Sequence, residues 1–111
     1  MKPGKNQQLI AMLQECAWTC NVCSIACMNE KNAKDLARCI RLDLDCAEIC
    51  RTISVLAKRS SESLNIIVPV CAVMCNRCAE ECEKHMHMEH CRSCAEVCRQ
   101  CALACQQMEP V

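Results

Sequence analysis

Aromatic and turn-forming residues are nearly missing from this sequence. Its 111 residues include no Phe, no Tyr, one Trp, one Gly and three Pro. β-Strands are normally enriched in aromatic residues, and the tight turns that join them depend on Gly and Pro. Residues that favour helices, such as Ala, Leu, Glu and Met, are common instead. The composition argues against β architectures and predicts an all-α protein.

The sequence also has no excess of charge of one sign. Thirteen basic and thirteen acidic residues cancel, which gives no electrostatic reason to expect nucleic acid or an anionic membrane as a partner. The chain starts with Met and passes into a helical pattern without the apolar core of a signal peptide, and no segment is expected to span a membrane. These features predict a cytoplasmic protein in a compartment that keeps thiols reduced.

Polar breaks divide the sequence into helical segments. The predicted helices are 5–29, 33–59, 62–86 and 90–108. Ser61 is a predicted N-cap, and Pro69, which cannot donate a backbone hydrogen bond, predicts a kink or a later start of the third helix. Short connections between long helices make neighbours antiparallel. Residues 1–111 are therefore predicted to form one domain, an up-down-up-down four-helix bundle.

Cysteine is what the sequence has in abundance, with sixteen residues. The cysteines are Cys16, Cys20, Cys23, Cys27, Cys39, Cys46, Cys50, Cys71, Cys75, Cys78, Cys82, Cys91, Cys94, Cys98, Cys101 and Cys105. Within each predicted helix they mostly follow one another at steps of three and four, which places them on the inward face where Leu and Ile normally lie. The second helix is the sparsest, because Leu42 or Asp43 falls where a further cysteine would be. The pattern predicts a bundle with a thiol-lined core.

The inward stripes end differently at the two ends of the predicted bundle. At one end they reach the aliphatic residues Leu9, Leu13, Ile53, Leu64 and Val68. At the other end the stripe of the third helix leads from Cys82 to His85, and that of the fourth leads back from Cys91 to His87. His90 lies beside them at the start of the fourth helix, where the direction of its side chain stays open. Nearby thioethers are Met28, Met86 and Met88. One end is predicted to be an apolar plug, and the other to carry soft metal ligands.

So many cysteines could have several different roles. Buried cysteine often acts only as a small hydrophobe, but sixteen thiols at Leu positions would leave a poorly filled core. Disulfides are disfavoured, because cysteines three or four apart on a helix are too distant to bond and the expected compartment is reducing. Pairs between helices stay possible, so a disulfide-linked interaction bundle is kept as a weaker alternative. Iron–sulfur spacing and the βαβ setting of redox C-x-x-C enzymes are missing. No enzymatic activity is expected.

Metal binding by many thiolates remains, and the choice lies between zinc and copper. Cys75-x-x-Cys78 and Cys91-x-x-Cys94 match zinc half-sites, so a zinc or general soft-metal buffer similar to a metallothionein stays an alternative. Each zinc with four thiolates would bring a charge of about −2 into a core without Lys or Arg on its stripes. Cu(I) prefers sulfur ligands and at one ion per thiolate leaves the core neutral. The balance of charge favours several Cu(I) ions per chain.

The sequence resembles the bacterial copper storage proteins, a family of cysteine-lined four-helix bundles that fill with Cu(I). The resemblance is carried by one segment on each predicted helix: ECAWTCNVCSIAC, RLDLDCAEIC, CAVMCNRCAEEC and HCRSCAEVCRQCALAC. It spans about Cys16 to Cys105 and implies storage of Cu(I) in the cytosol, assembly as a homotetramer, and uptake at a bundle end with His and Met.

The resemblance also assigns the ligands. It makes all sixteen cysteines storage ligands, and we add His85, His87 and His90 as ligands at the uptake end. The interrupted stripe of the second helix is expected to lower the capacity there. A protein that donates or accepts copper is a further partner to expect. Trp18 lies off the cysteine stripe and is predicted on an outer face or at a subunit contact.

Overall fold

The computed structural model describes residues 5–111, with only the backbone of Lys5. Residues 1–4, which enter the expectation of a missing leader and the predicted domain range, lie outside it. The described chain forms the helices α1 (Lys5–Met28), α2 (Ala37–Lys58), α3 (Leu64–Cys82) and α4 (Glu89–Gln106). Short 3₁₀ helices, Ala33–Leu36 and Glu83–His85, precede α2 and follow α3. Within this range there is no strand.

The helices form a ring in which each packs against two neighbours. α1 contacts α2 and α4, and α3 contacts the same two helices. Sulfur atoms that face each other show the direction of the chains, because they pair in opposite order along neighbouring helices. The pairs are Cys39 with Cys82 and Cys50 with Cys71 for α2 and α3, and Cys16 with Cys98 and Cys27 with Cys91 for α1 and α4. The predicted antiparallel four-helix bundle is confirmed, with a longest extent of 44 Å.

Two helices have shorter α-helical parts than the ranges 33–59 and 62–86 predict. The second starts as a 3₁₀ helix and becomes α-helical at Ala37, and the third is α-helical only to Cys82. The physical reason is that backbone groups at a helix end lack partners four residues away, and a 3₁₀ turn satisfies them with bonds over three residues. α3 starts at Leu64, the later start that Pro69 predicts. Its N-cap position is Ser63 and not the predicted Ser61, whose hydroxyl accepts from the Ser63 N–H at 3.1 Å.

Apolar residues are sorted along the bundle. The predicted plug is confirmed, since its aliphatic side chains are buried in one cluster with the cysteines: Leu9, Leu13, Ile53, Leu64 and Val68. Leu36 is fully buried at the histidine end, which the sequence pattern did not predict. The histidine end is therefore partly covered by an aliphatic side chain from the 3₁₀ helix before α2.

The first helix corrects the expectation that no segment reaches the length of a membrane span. Asn6–Met28 is long and apolar enough to cross a membrane, by length and composition alone. Its inward side chains, including Leu13 and Cys20, are fully buried between the other helices. Cysteine itself contributes to this apolar composition. The apolar inward face of α1 is thus accounted for by packing within the bundle.

The end of α2 is held by a Schellman motif. The N–H of Ser61 donates to the carbonyl of Leu56, and the N–H of Ser60 to that of Ala57, both at 3.1 Å. Ser60 has φ 50°, the left-handed conformation that this motif requires. The left-handed conformation is unfavourable by roughly 1 kcal/mol for a residue with a Cβ atom, whereas Gly adopts it without this cost. The connection between α2 and α3 therefore keeps strain that Gly would relieve.

Ser60→Gly is expected to raise the free energy of unfolding of the metal-free protein by roughly 0.5 kcal/mol, because relief of this strain exceeds the added freedom of the unfolded chain. Urea unfolding under reducing conditions measures the change. Ser60→Ala is the matched control: it removes the hydroxyl that accepts a hydrogen bond from Asn6 Nδ2 but keeps Cβ, so no gain is expected. An equal gain in both variants would contradict the explanation.

Candidate metal centre

All sixteen cysteine side chains lie inside the bundle as free thiols. Fifteen are fully buried, and Cys105 is 4% exposed. Steps of three and four residues explain this placement, because they keep successive side chains on one face of a helix. The predicted inward direction of the stripes is confirmed at every cysteine, while the role of these residues as ligands stays a prediction.

The sulfur atoms form a connected column rather than separate pairs. Neighbouring Sγ atoms come within 3.5 Å for Cys20 and Cys98, and within 4.0 Å for Cys23 and Cys91. A disulfide bond would be about 2.05 Å. Each of these contacts joins two helices, so the column depends on the packing of the whole bundle.

Several sets of four cysteines have all their ligand atoms within 4.8 Å of one another, close enough to hold a metal ion together. The sets overlap, because Cys16 and Cys46 belong to two of them. These two sets are Cys16, Cys46, Cys50 and Cys75, and Cys16, Cys20, Cys46 and Cys98. An isolated structural zinc site uses four ligands of its own, whereas overlapping sets need thiolates that bridge two ions. The overlap favours a series of bridged ions over separate zinc sites.

Charge favours Cu(I) over zinc as the ion held in this column. The buried polar or charged residues of the described chain are Ser24, Asp43, Ser54 and Glu81. None of them is a cation that could offset the excess negative charge of zinc–thiolate sites. Cu(I) bound at one ion per thiolate needs no such offset.

Asp43 places a carboxyl group inside the thiol column. It is fully buried, and its Oδ1 accepts hydrogen bonds from the thiols of Cys78 (3.1 Å), Cys94 (3.4 Å) and Cys82 (3.6 Å). Burial raises the pKa of Asp43 to about 8, and the nearby Cys94 adds to the increase. The group is therefore mostly protonated at neutral pH in the metal-free protein.

Sequence reasoning missed Asp43 as a functional residue and treated it only as a gap. The signal was in the spacing: Asp43 follows Cys39 by four residues and precedes Cys46 by three, so it occupies an inward position like a cysteine. Its carboxyl oxygens face thiols from more than one helix, including Cys39 of its own helix at 3.9 Å. Asp43 is thus a candidate ligand or proton carrier where the cysteine stripe of α2 is interrupted.

Burial without a nearby cation favours the protonated form of the thiols in the metal-free column. Burial raises the pKa of Cys27 to about 11, and the neighbouring Cys39 adds to the increase. An unperturbed thiol has a pKa near 8.5. Since thiolates are the metal-binding form, metal ions must displace protons as they enter.

His90 is the histidine that meets the thiols. Its Nδ1 lies 3.6 Å from Cys91 Sγ, 3.7 Å from Cys27 Sγ and 3.8 Å from Cys23 Sγ. On the other side of the ring, Nε2 lies 3.2 Å from Glu30 Oε1. The side chain is 18% exposed. These four ligand atoms lie within 4.8 Å of one another and form a mixed sulfur–nitrogen site at the end of the column.

His85 is held in a different environment, at Glu81. Its Nε2 lies 2.9 Å from Glu81 Oε2, and the same carboxylate accepts from Arg38 at 2.7 Å and Lys84 at 3.3 Å. Burial alone would raise the pKa of Glu81, but the hydrogen bonds from His85, Arg38 and Lys84 lower it. His85 lies in the 3₁₀ helix after α3, where the α-helical spacing that predicted its direction no longer applies.

None of the remaining predicted ligands is fully buried. His87 is exposed, and so are Met28 and Met86, whereas Met88 is half-buried and packs against the core. His90 was the histidine whose direction the sequence left open, yet it lies four residues before Cys94. That helical spacing was the signal for its inward direction.

Comparison with known proteins finds similarity to copper storage proteins and to a cysteine-rich protein. The model of the family described as copper storage protein matches residues 2–110. A cytosolic copper storage protein of Streptomyces lividans, solved with five coppers, is 35% identical with a TM-score of 0.85, over 93% of this chain and 90% of that one. The Cu(I)-bound copper storage protein 3 of Bacillus subtilis is 34% identical with a TM-score of 0.89, over 95% of this chain and 98% of that one. The uncharacterized cysteine-rich protein YhjQ of Bacillus subtilis is 38% identical over 81 residues, 73% of this chain and 74% of that protein.

Asp43→Asn is expected to flatten the pH dependence of stability of the metal-free protein. The folded-state pKa of Asp43 is about 8 against 3.8 for the free side chain, so the folded protein keeps a proton that the unfolded chain releases. The stability that this bound proton contributes is complete below the pKa of the group in the unfolded chain. It is lost as the pH rises through the pKa of the group in the folded protein. The free energy of unfolding of the unsubstituted protein should therefore fall by at least about 1 kcal/mol more than that of the variant between pH 4 and 8.

Guanidinium unfolding at a series of pH values, under anaerobic reducing conditions, measures this difference. The groups that face Asp43 are all thiols: Cys23, Cys39, Cys78, Cys82 and Cys94. The same thiols are present in the variant and serve as the internal control. Equal slopes for the two proteins would show that Asp43 does not hold its proton in the folded state.

Proposed function

The chain belongs to the copper storage protein family, and on this basis we propose that it stores Cu(I) in the cytosol, bound as many ions by the cysteine thiolates inside the bundle. The observation that carries the proposal is the overlap of four-sulfur sets in a buried column. Overlapping sets can hold many bridged ions, which suits storage, whereas delivery of copper needs only one exchangeable site. The cytosolic location is supported by the Streptomyces lividans relative, which is described as cytosolic.

Loading exchanges protons for copper inside the column. Each thiol that binds Cu(I) gives up its proton, so the charge of the core stays near zero as ions accumulate. The bundle can therefore exist empty, with neutral thiols as small hydrophobic side chains, and filled, with Cu(I) in the same space. Storage by this mechanism involves no catalytic step, and we assign the protein no enzymatic role.

Copper enters through the mixed site at the histidine end. Cys23, Cys27, Cys91 and His90 form a four-ligand set at that end of the column, and His90 is partly exposed. A Cu(I) ion bound there passes inward by exchanging its ligands for the next sulfurs. His85 and His87 lie at the same end, but His85 is bound to Glu81 and His87 is exposed, so this route does not depend on them.

A homo-oligomer is the second part of the proposal, with a tetramer implied by the family resemblance. α1 carries an apolar stripe on its outer face, where Trp18 is 70% exposed, Val22 43% and Ile25 59%. Such a stripe on the surface of a small domain favours contact with another protein surface. A donor or acceptor of copper is the other expected partner.

Anaerobic titration with Cu(I) against a competing chelator is expected to saturate at about one ion per thiol, that is about sixteen ions per chain. About one proton should be released per ion, as measured in weakly buffered solution with a pH indicator. Zinc titrated in the same way provides the control. Saturation near four ions, or displacement of bound copper by zinc, would contradict Cu(I) storage and support the soft-metal buffer.

Replacement of the histidines one at a time tests the route of uptake. His90→Ala is expected to slow binding of the first Cu(I) equivalents about tenfold or more, since it removes the nitrogen ligand of the outermost site. His87→Ala, at an exposed position, is the matched control and should load at the original rate; total capacity should change little in both. Stopped-flow mixing with a Cu(I)–chelator complex measures the rates. A slow His87→Ala variant with a normal His90→Ala variant would reverse the assignment.

A further inference from the structure

Glu30 contacts the back of the His90 ring. Its Oε1 lies 3.2 Å from Nε2, while Nδ1 on the opposite side of the ring faces three sulfur atoms. Glu30 is not part of the cysteine pattern and comes from the connection between α1 and α2, whereas His90 lies in the first turn of α4. The two residues are sixty positions apart in the chain.

The backbone of Glu30 is fixed by the turn that follows α1. Its N–H donates to the carbonyl of Cys27 at 3.2 Å, and its own carbonyl accepts from the N–H of Ala33, also at 3.2 Å. Cys27 is itself one of the sulfurs that face His90. The turn thus positions the Glu30 carboxylate and the Cys27 thiol together, on opposite sides of one imidazole ring.

The two ring nitrogens of a neutral histidine have different roles. One carries hydrogen and donates, and the other has a lone pair and can bind metal. A carboxylate at Nε2 favours the tautomer with hydrogen on that atom, because the alternative would place a lone pair against a carboxylate oxygen. The lone pair is then on Nδ1, which faces Cys23, Cys27 and Cys91. Carboxylates in this position commonly orient histidine ligands of metal ions.

We propose that Glu30 is a positioning residue that accepts the Nε2–H of His90, and so holds its Nδ1 lone pair toward the thiols that receive the first Cu(I) ion. This inference rests on the proposed function, with His90 as a ligand of the outermost site. Glu30 does not contact the copper in this arrangement. Its effect on loading passes through His90.

Glu30→Ala is expected to slow binding of the first Cu(I) equivalents about tenfold, with little change in total capacity. Glu30→Gln keeps an oxygen that can accept the Nε2–H without the negative charge, and should load close to the original rate. Glu89→Ala is the matched control, because it removes a carboxylate beside His90 in the chain without removing the acceptor at Nε2. Stopped-flow mixing with a Cu(I)–chelator complex gives all the rates.

A double variant tests whether Glu30 acts through His90. The variant with both Glu30→Ala and His90→Ala should load no more slowly than His90→Ala alone. Without the His90 ring, Glu30 has nothing to orient, so its loss has no further effect. In the metal-free protein, ¹⁵N NMR of the imidazole should show hydrogen on Nε2, and Glu30→Ala should shift this signal toward the other tautomer. A merely structural role of Glu30 would leave the tautomer unchanged.

Three loading results would overturn the inference, as would an unchanged tautomer in Glu30→Ala. The first is a normal loading rate for Glu30→Ala, and the second is a Glu30→Gln variant as slow as Glu30→Ala, which would indicate attraction of the cation by charge alone. The third is an additive effect in the double variant. If His90→Ala itself loads normally, the proposed uptake site fails; if His90→Ala is slow and Glu30→Ala is normal, only the role of Glu30 fails.

Discussion

The structure depends on one constraint: the interior of the bundle must be stable both without charge and with many metal ions. Neutral thiols meet the first condition because they pack as small hydrophobic groups, and thiolates with an equal number of Cu(I) ions meet the second because the charges cancel. Thiols alone fill a helix-bundle core less well than Leu or Ile. The aliphatic cluster at one end, which includes Leu13 and Ile53, supplies the ordinary apolar contacts that the column lacks.

The same constraint applies to Asp43, whose carboxyl group lies within the column. A buried carboxylate without a partner would be costly, but Asp43 is surrounded by thiol donors and its raised pKa keeps it mostly neutral. It therefore follows the same rule as the cysteines around it, being neutral in the empty protein and able to lose a proton when cations enter. The interruption of the cysteine stripe in α2 is filled by a group with similar acid–base behaviour.

The two ends of the column differ because the chain closes them differently. The plug end is covered by aliphatic side chains from α1, α2 and α3, whereas the histidine end carries polar groups held by specific partners. His85 is bound to Glu81 within a cluster that includes Arg38, and His90 lies between Glu30 and the thiols. Only the second arrangement leaves a ring nitrogen facing sulfur. Proximity to the end of the bundle is therefore not sufficient to bring a histidine ring against the thiols.

The sequence by itself determined the helices, their antiparallel order, the plug and the inward direction of the cysteines, because all of these follow from a helical period of 3.6 residues applied to a chain with few breaks. It could not place residues where that period stops. His85 fell in a 3₁₀ turn, His87 in the exposed connection, and His90 at a helix start, so their directions depended on how the connections fold. Contacts across the bundle, such as the overlap of sulfur sets and the pairing of Glu30 with His90, were decided only by the tertiary structure, because they join residues far apart in the chain whose distances no local pattern encodes.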